Sequence, residues 1–293
     1  MLNYMTALRL HLLLLLLPVY MFGQSNNSAA YVIYNTATKS KVQLTDIVQA
    51  MNKADVVFFG ELHDDSLGHI AELDLLKAMT TSYQGKLALS MEMFETDVQP
   101  VLNEYLNGFI RERNMIADTR AWPNYKTDYR PMIELAKTNG IPVIAANAPA
   151  RYTGMVTTGG FERLNVLNKA ALNYLPPLPI DTASGAYYEK FVAEMGGHKA
   201  MAGMQIYQSQ SLWDATMAWS IARFLKKNKG YKIMQVNGGF HSEEHMGIVA
   251  QLKNYAPKAR VITINAYPST TPDNPDWKEL DKKADYVILT VGK

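Results

Sequence analysis

Residues 55–65 read "DVVFFGELHDD". Val56 to Phe59 form a short run of β-branched and aromatic residues, the signature of a buried strand. Gly60 ends the run. Glu61, His63, Asp64 and Asp65 then crowd into five positions. A turn needs polar residues, but it does not need a histidine. The segment therefore predicts a core strand that delivers titratable groups to its carboxyl end.

Similar runs recur along the chain. Strands are predicted at Asp55–Phe59, Lys86–Met91, Pro142–Ala146, Lys232–Val236, Arg260–Ile264 and Tyr286–Thr290. Between them lie amphipathic segments with helical spacing, at Ser66–Thr80, Asp97–Asn107, Pro131–Thr138 and Met246–Tyr255. Ser66 and Thr96 are read as their N-caps. Strands alternating with helices predict an α/β fold with a mostly parallel sheet flanked by helices. "YVIYNTATKSKVQ", residues 31–43, reads as a small hairpin ahead of the first unit. No strand pattern is found from about residue 150 to residue 224. That stretch is predicted to be a helical insertion within a single domain spanning 25–293.

In an open parallel sheet, ligands bind in the crevice outside the carboxyl ends of the strands. Glu61 and His63 follow the first core strand and Glu92 the second. Asn147 follows the third, Asn237 and His241 the fourth, and Asn265 the fifth. Residues spread over two hundred positions are thus expected at one edge. Two imidazoles and two carboxylates can hold a divalent cation such as Mn²⁺ or Zn²⁺, or work as acid and base. The metal set is read as Glu61, His63, Glu92 and His241. Gln210 and Asp214 share a face with Gly203, Tyr207 and Met217 on a later helix and are expected to close the crevice from that side. "HSEEH", from His241 to His245, has the H-x-x-E-H pattern of an inverted zinc-peptidase helix. It follows "NGGF" directly after a strand, so His245 is read as packing near the next helix instead.

Bulk composition excludes several classes. The chain has 293 residues, 48% hydrophobic and 19% charged, which is globular composition. Its net charge is +2, without the basic excess of a nucleic-acid binder. There is no cysteine, and so no disulfide, thiolate metal site, cysteine nucleophile or lipid attachment point. Residues 1–24 are read as a signal peptide. One charge, Arg9, precedes an apolar run from Leu12 to Phe22, shorter than the roughly 20 residues of a bilayer span. The mature chain is thus expected to be periplasmic or secreted, with no transmembrane span and no lipid anchor.

The motifs also carry a resemblance. "FFGELHDD", "LSMEMFE", "YRPMIELAKTNGIPVIAANAPAR", "YQSQSLWDATMAWSIARFL" and "VNGGFHSEEH" run from about Val56 to Val249. With paired G-x-x-H motifs at Gly60–His63 and Gly238–His241, the chain resembles the ChaN-like haem-binding proteins of the Tiki superfamily. The resemblance implies an α/β core with a helical subdomain. It also implies haem bound between two copies of the protein, with a tyrosine on the iron. Tyr207 is the residue chosen here, beside His198 and Met204 in a span rich in methionine, with Tyr129 and Tyr187 as alternatives. The superfamily also contains metal-dependent peptidases and erythromycin-esterase-like hydrolases. Two functions follow: a periplasmic haem-binding protein in haem or iron uptake or storage, or a metal-dependent hydrolase. In the second, Glu61, His63, Glu92, His241 and Asp214 would be catalytic.

Overall fold

The computed structural model describes residues 30–182, 184–197 and 205–292. The predicted signal segment, His198, Met201, Gly203 and Met204 lie outside these residues. Strands β1 (Tyr31–Asn35), β2 (Ser40–Val42), β3 (Val56–Glu61), β4 (Leu87–Glu95), β5 (Val143–Asn147), β6 (Lys232–Gly238), β7 (Val261–Ser269) and β8 (Tyr286–Val291) form one sheet. Their order is β2-β1-β8-β7-β3-β6-β4-β5. The six strands from β8 to β5 run parallel to one another. The predicted hairpin, β1 and β2, is antiparallel and joins the sheet along β8. This is the mostly parallel α/β architecture expected from the sequence.

Helices on both faces explain why the core strands are mainly apolar, with buried Ser90, Gln235 and Thr263 among the exceptions. Successive residues of β3 point to opposite faces. Val57 and Phe59 pack with Leu75, Leu76 and Met79 of the Ser66–Ser82 helix, and with Met132 and Ile133 of the Arg130–Thr138 helix. Val56 and Phe58 face the other way, into Met217 and Ile221 of the Ile206–Lys227 helix and Leu252 of the Ile248–Tyr255 helix. Each of these four β3 side chains is fully buried. Parallel pairing of the six strands brings their carboxyl ends to one edge. Between β5 and β6 the described residues contain helical elements and no strand, including Ala150–Gly159, Ala186–Glu194 and Ile206–Lys227.

Three local expectations are corrected. The cap of the Ser66–Ser82 helix is Asp65, whose carboxylate accepts from the Leu67 N–H. Its neighbour Ser66 is already helical. Thr96 is no cap either: its hydroxyl donates to the Tyr174 carbonyl, and Val98 precedes the Gln99–Leu106 helix. Finally, β4 does not stop at Met91. It continues to Glu95 through a register shift, so Glu92 lies inside the irregular part of a strand. Such a shift re-aims side chains at a sheet edge.

Two turns approach very closely at the centre of that edge. A Cβ on Gly60 would lie 2.6 Å from Asn265 Nδ2 and 2.9 Å from the Gly239 Cα. Gly60→Ala is therefore expected to cost about 1–3 kcal/mol through overpacking, measured by urea unfolding. Gly154, exposed on a helix, has nothing within 4 Å of such a Cβ. Gly154→Ala should stabilise by up to ~1 kcal/mol in the same assay. Equal effects at the two positions would contradict this packing.

Candidate functional site

Two hydrogen-bonded groups occupy the carboxyl edge of the sheet. The first is built on Glu61, the last residue of β3 and only 2% exposed. Its Oε1 accepts from His63 Nδ1–H at 2.7 Å and from the Tyr129 hydroxyl at 2.6 Å. Its Oε2 lies 3.4 Å from Nδ1 of His69, which in turn is 3.1 Å from Glu72 Oε2. Burial opposes ionisation of Glu61, but bonds to His63 and His69 hold its carboxyl below the usual range. Burial and the Glu61 charge push Glu72 the other way. His69 is pushed up to about 11, because its two carboxylate neighbours outweigh its desolvation.

The second group is centred on His241. Burial disfavours its charge, yet Glu92 and Asp214 raise its pKa to about 9. His241 Nδ1–H donates to Asp214 Oδ1 at 2.6 Å, and Nε2 faces Glu92 Oε1 at 3.6 Å. The second oxygen of Asp214 accepts from the Tyr187 hydroxyl at 2.6 Å, and Gln210 Nε2 donates to that hydroxyl at 3.1 Å. Glu92 Oε2 accepts from the Gly238 N–H at 2.7 Å. Gly238 also ties the two groups together. A Cβ there would sit 3.0 Å from His63 Nε2 and 3.7 Å from Glu92 Oε2.

Glu61, His63, Glu92 and His241 are thus neighbours, and Gln210 and Asp214 approach from the Ile206–Lys227 helix. A cleft of about 300 Å³ opens on this edge, lined by Glu92, His241, Arg120, Trp122, Asn147 and Trp213. His63 stands at its rim with its side chain 46% exposed, edge-on to Trp122. Asn237 and Asn265 are fully buried and brace the turns rather than face the cleft: Asn237 Nδ2 donates to Ser242 Oγ, and Asn265 Nδ2 reaches the Gly239 carbonyl.

The expected metal set does not form one cage. Among the described residues, the three groups whose ligand atoms lie within 4.8 Å of one another are Glu61, His69 and Glu72. His69 and Glu72 are not singled out by the sequence, because H-x-x-E on an amphipathic helix reads as a solvated stripe. Tyr129 and Tyr187 were noted only as iron ligands. Both are buried, and both hydroxyls are donated to carboxylates. The "HSEEH" segment is not a continuous helix. Glu244 and His245 have φ of 58° and 57°, and His245 pairs with Asp285 at 3.3 Å.

Tyr207 lies in a different environment. Its ring centroid is 4.9 Å from that of Tyr188, 5.2 Å from Phe191 and 6.2 Å from Tyr187. Phe240, next to His241, continues this aromatic face at 5.3 Å from Tyr187. Tyr188, Tyr207 and Phe240 are all partly exposed. Burial, Asp214 and Asp181 raise the Tyr207 pKa, so its hydroxyl is neutral at physiological pH.

Fold and edge together define an α/β protein with a polar strand-end crevice bordered by an aromatic face. The profile of a family described as "Haem-binding uptake, Tiki superfamily, ChaN" matches residues 47–252, and the chain belongs to that family. A solved structure described as cofacial heme binding to ChaN of Campylobacter jejuni shares the fold. It is 17% identical, with 90% of this chain and 98% of that chain covered and a TM-score of 0.67. An erythromycin esterase mutant, EreC in its open conformation, is 9% identical over 88% of this chain and 96% of that one, with a TM-score of 0.51. Among curated proteins, RETICULATA-RELATED 5, chloroplastic, of Arabidopsis thaliana is 24% identical over 138 residues. That match takes in 45% of this chain and 18% of the plant protein, so the chain spans less than a fifth of that relative. No helix among the described residues is long and apolar enough to cross a membrane.

The His241 geometry makes a titration prediction. Its folded-state pKa is raised above 6.5, so the stability contributed by charged His241 is fully present below about pH 6.5 and is lost as pH rises through about 9. Asp214→Asn should lower the His241 pKa by roughly 1–3 units, followed by NMR of the imidazole carbons. An unshifted titration would mean that Asp214 does not hold the charge.

Proposed function

We propose that the protein binds haem on the aromatic face formed by Tyr187, Tyr188, Phe191, Tyr207 and Phe240, with Tyr207 as the iron ligand. Membership of the haem-binding uptake family carries this reading. The chemistry of the face supports it. A porphyrin is a flat apolar plate, and clustered rings with a soft thioether nearby suit it. Met195, 37% exposed, follows the Ala186–Glu194 helix that contributes three of these residues. Lys190 lies 4.9 Å from the Phe240 ring centroid at the edge of this face, with its ammonium paired to Glu243. The crevice itself is a poor haem site, being narrow and lined by Glu92 and His241.

Of the three tyrosines considered, Tyr207 fits the role best. Tyr129 and Tyr187 are buried, whereas Tyr207 is partly exposed on this face. A phenol with a raised pKa gives up its proton only to a strong local cation, and ferric iron supplies that charge. The surroundings of Tyr207 oppose its ionisation, so ligation there requires ferric iron to displace the phenol proton.

Further elements belong to this proposal. Tyr188, Tyr207 and Phe240 are the partly exposed members of this face, and a second copy of the chain would complete a homodimer around haem bound there. The apolar N-terminal run supports the reading of a periplasmic or secreted carrier or store in haem and iron uptake. The hydrolase alternative is not adopted, because the four predicted ligands are not the group that converges on one point.

Tyr207→Phe tests the ligand. Titration with ferric haem should give tyrosinate-to-iron charge-transfer bands in the parent protein. The variant should lack them and bind at least about tenfold more weakly, ~1.4 kcal/mol. An unchanged spectrum would remove Tyr207 from the iron.

A further inference from the structure

His69 and Glu72 lie three residues apart and so share one face of the Ser66–Ser82 helix. That face meets Glu61 at the end of β3. His69 Nε2 is 3.3 Å from the His63 carbonyl oxygen, an atom that only accepts. Asp128 stands 3.8 Å from the same nitrogen. With Nε2–H donated to the carbonyl, Nδ1 faces Glu61 Oε2 at 3.4 Å and Glu72 Oε2 at 3.1 Å, and without a metal it is a proton on Nδ1 that lies between these oxygens. Glu72 Oε1 has no hydrogen-bond partner and Glu61 Oε2 has only the long 3.4 Å approach of His69, although the two residues are 0% and 2% exposed. Buried carboxylate oxygens left in this state are costly unless a cation joins them.

We propose that Glu61, His69 and Glu72 form a buried site for one divalent first-row cation of the zinc type, separate from the aromatic face. Four ligands held about 2.0–2.1 Å from a tetrahedral ion lie roughly 3.3 Å from one another. The His69–carboxylate separations of 3.1 and 3.4 Å fit that spacing. Two carboxylates and a neutral imidazole balance the charge of a divalent ion. The mixed nitrogen and oxygen donors suit zinc better than calcium or magnesium, which take oxygen shells. Outer contacts that orient metal ligands are already in place. The Tyr129 hydroxyl bonds Glu61 Oε1, and the His63 carbonyl fixes the His69 ring. Glu61 Oε1 also holds His63, so a cation here would lock the rim of the crevice.

The test uses zinc as the probe on chelator-stripped full-length protein, without haem. Equilibrium dialysis with elemental analysis is expected to find one zinc per chain, and zinc should raise the melting temperature. His69→Ala should weaken zinc binding roughly 100-fold or more, in line with losses of 10–100-fold from outer contacts alone. Glu72→Gln should do the same, whereas His245→Ala should leave binding unchanged. If the Glu72 variant fails to fold, anomalous diffraction at the zinc edge on the parent protein should place the ion at His69. Three results would overturn the proposal: no zinc taken up by the parent protein, equal binding by His69→Ala, or an anomalous peak elsewhere. The first would leave protons alone as the charge between these groups.

Discussion

Glu61, Glu72, Glu92 and Asp214 are carboxylates almost out of reach of water. A lone carboxylate in such surroundings costs several kcal/mol or changes its protonation. The edge of the sheet is organised around meeting that cost. Glu61 takes His63 and Tyr129, Glu92 takes the Gly238 N–H and faces His241, and Asp214 takes His241 and Tyr187. These partners come from different strands and helices, so the network requires the tertiary fold. The fold in turn requires Gly60 and Gly239 to let the β3 and β6 turns touch.

Tyr187 joins this network to the aromatic face. Its ring packs near Tyr207 and Phe240, while its hydroxyl bonds Asp214. Phe240 and His241 are adjacent in sequence but serve the two sides separately. A ligand on the aromatic face would therefore bear on the ring whose hydroxyl helps hold Asp214, and through Asp214 on the charge of His241. The polar edge and the apolar face are two sides of one wall.

Much of this was legible in the chain. Six apolar runs correspond to the six parallel strands because strands buried on both faces read as near-continuous apolar runs. Glu61, His63, Glu92 and His241 stood out because they interrupt or end such runs. Gln210 and Asp214 stood out because they sit on a face of a helix that is otherwise apolar. Other residues were hidden for physical reasons. His69 and Glu72 have the spacing of an ordinary solvated stripe, and only burial distinguishes the two cases. Asp65 was passed over as a cap because Ser66 is an equally good cap type one residue later. The extension of β4 past Met91 depends on a register shift that leaves no local signature. Tyr129 and Tyr187 look like core or ligand residues until their hydroxyl partners are known.

The most direct test of the account is a crystal structure of the haem-bound protein with anomalous data at the iron edge. The account predicts an iron peak about 2 Å from the Tyr207 hydroxyl oxygen, a metal–ligand distance. The macrocycle should lie over Tyr188, Phe191 and Phe240, and the Asp214–His241 pair should be intact beneath. An iron peak inside the Glu92–His241 crevice, or on a surface remote from the Ala186–Glu194 and Ile206–Lys227 helices, would contradict it.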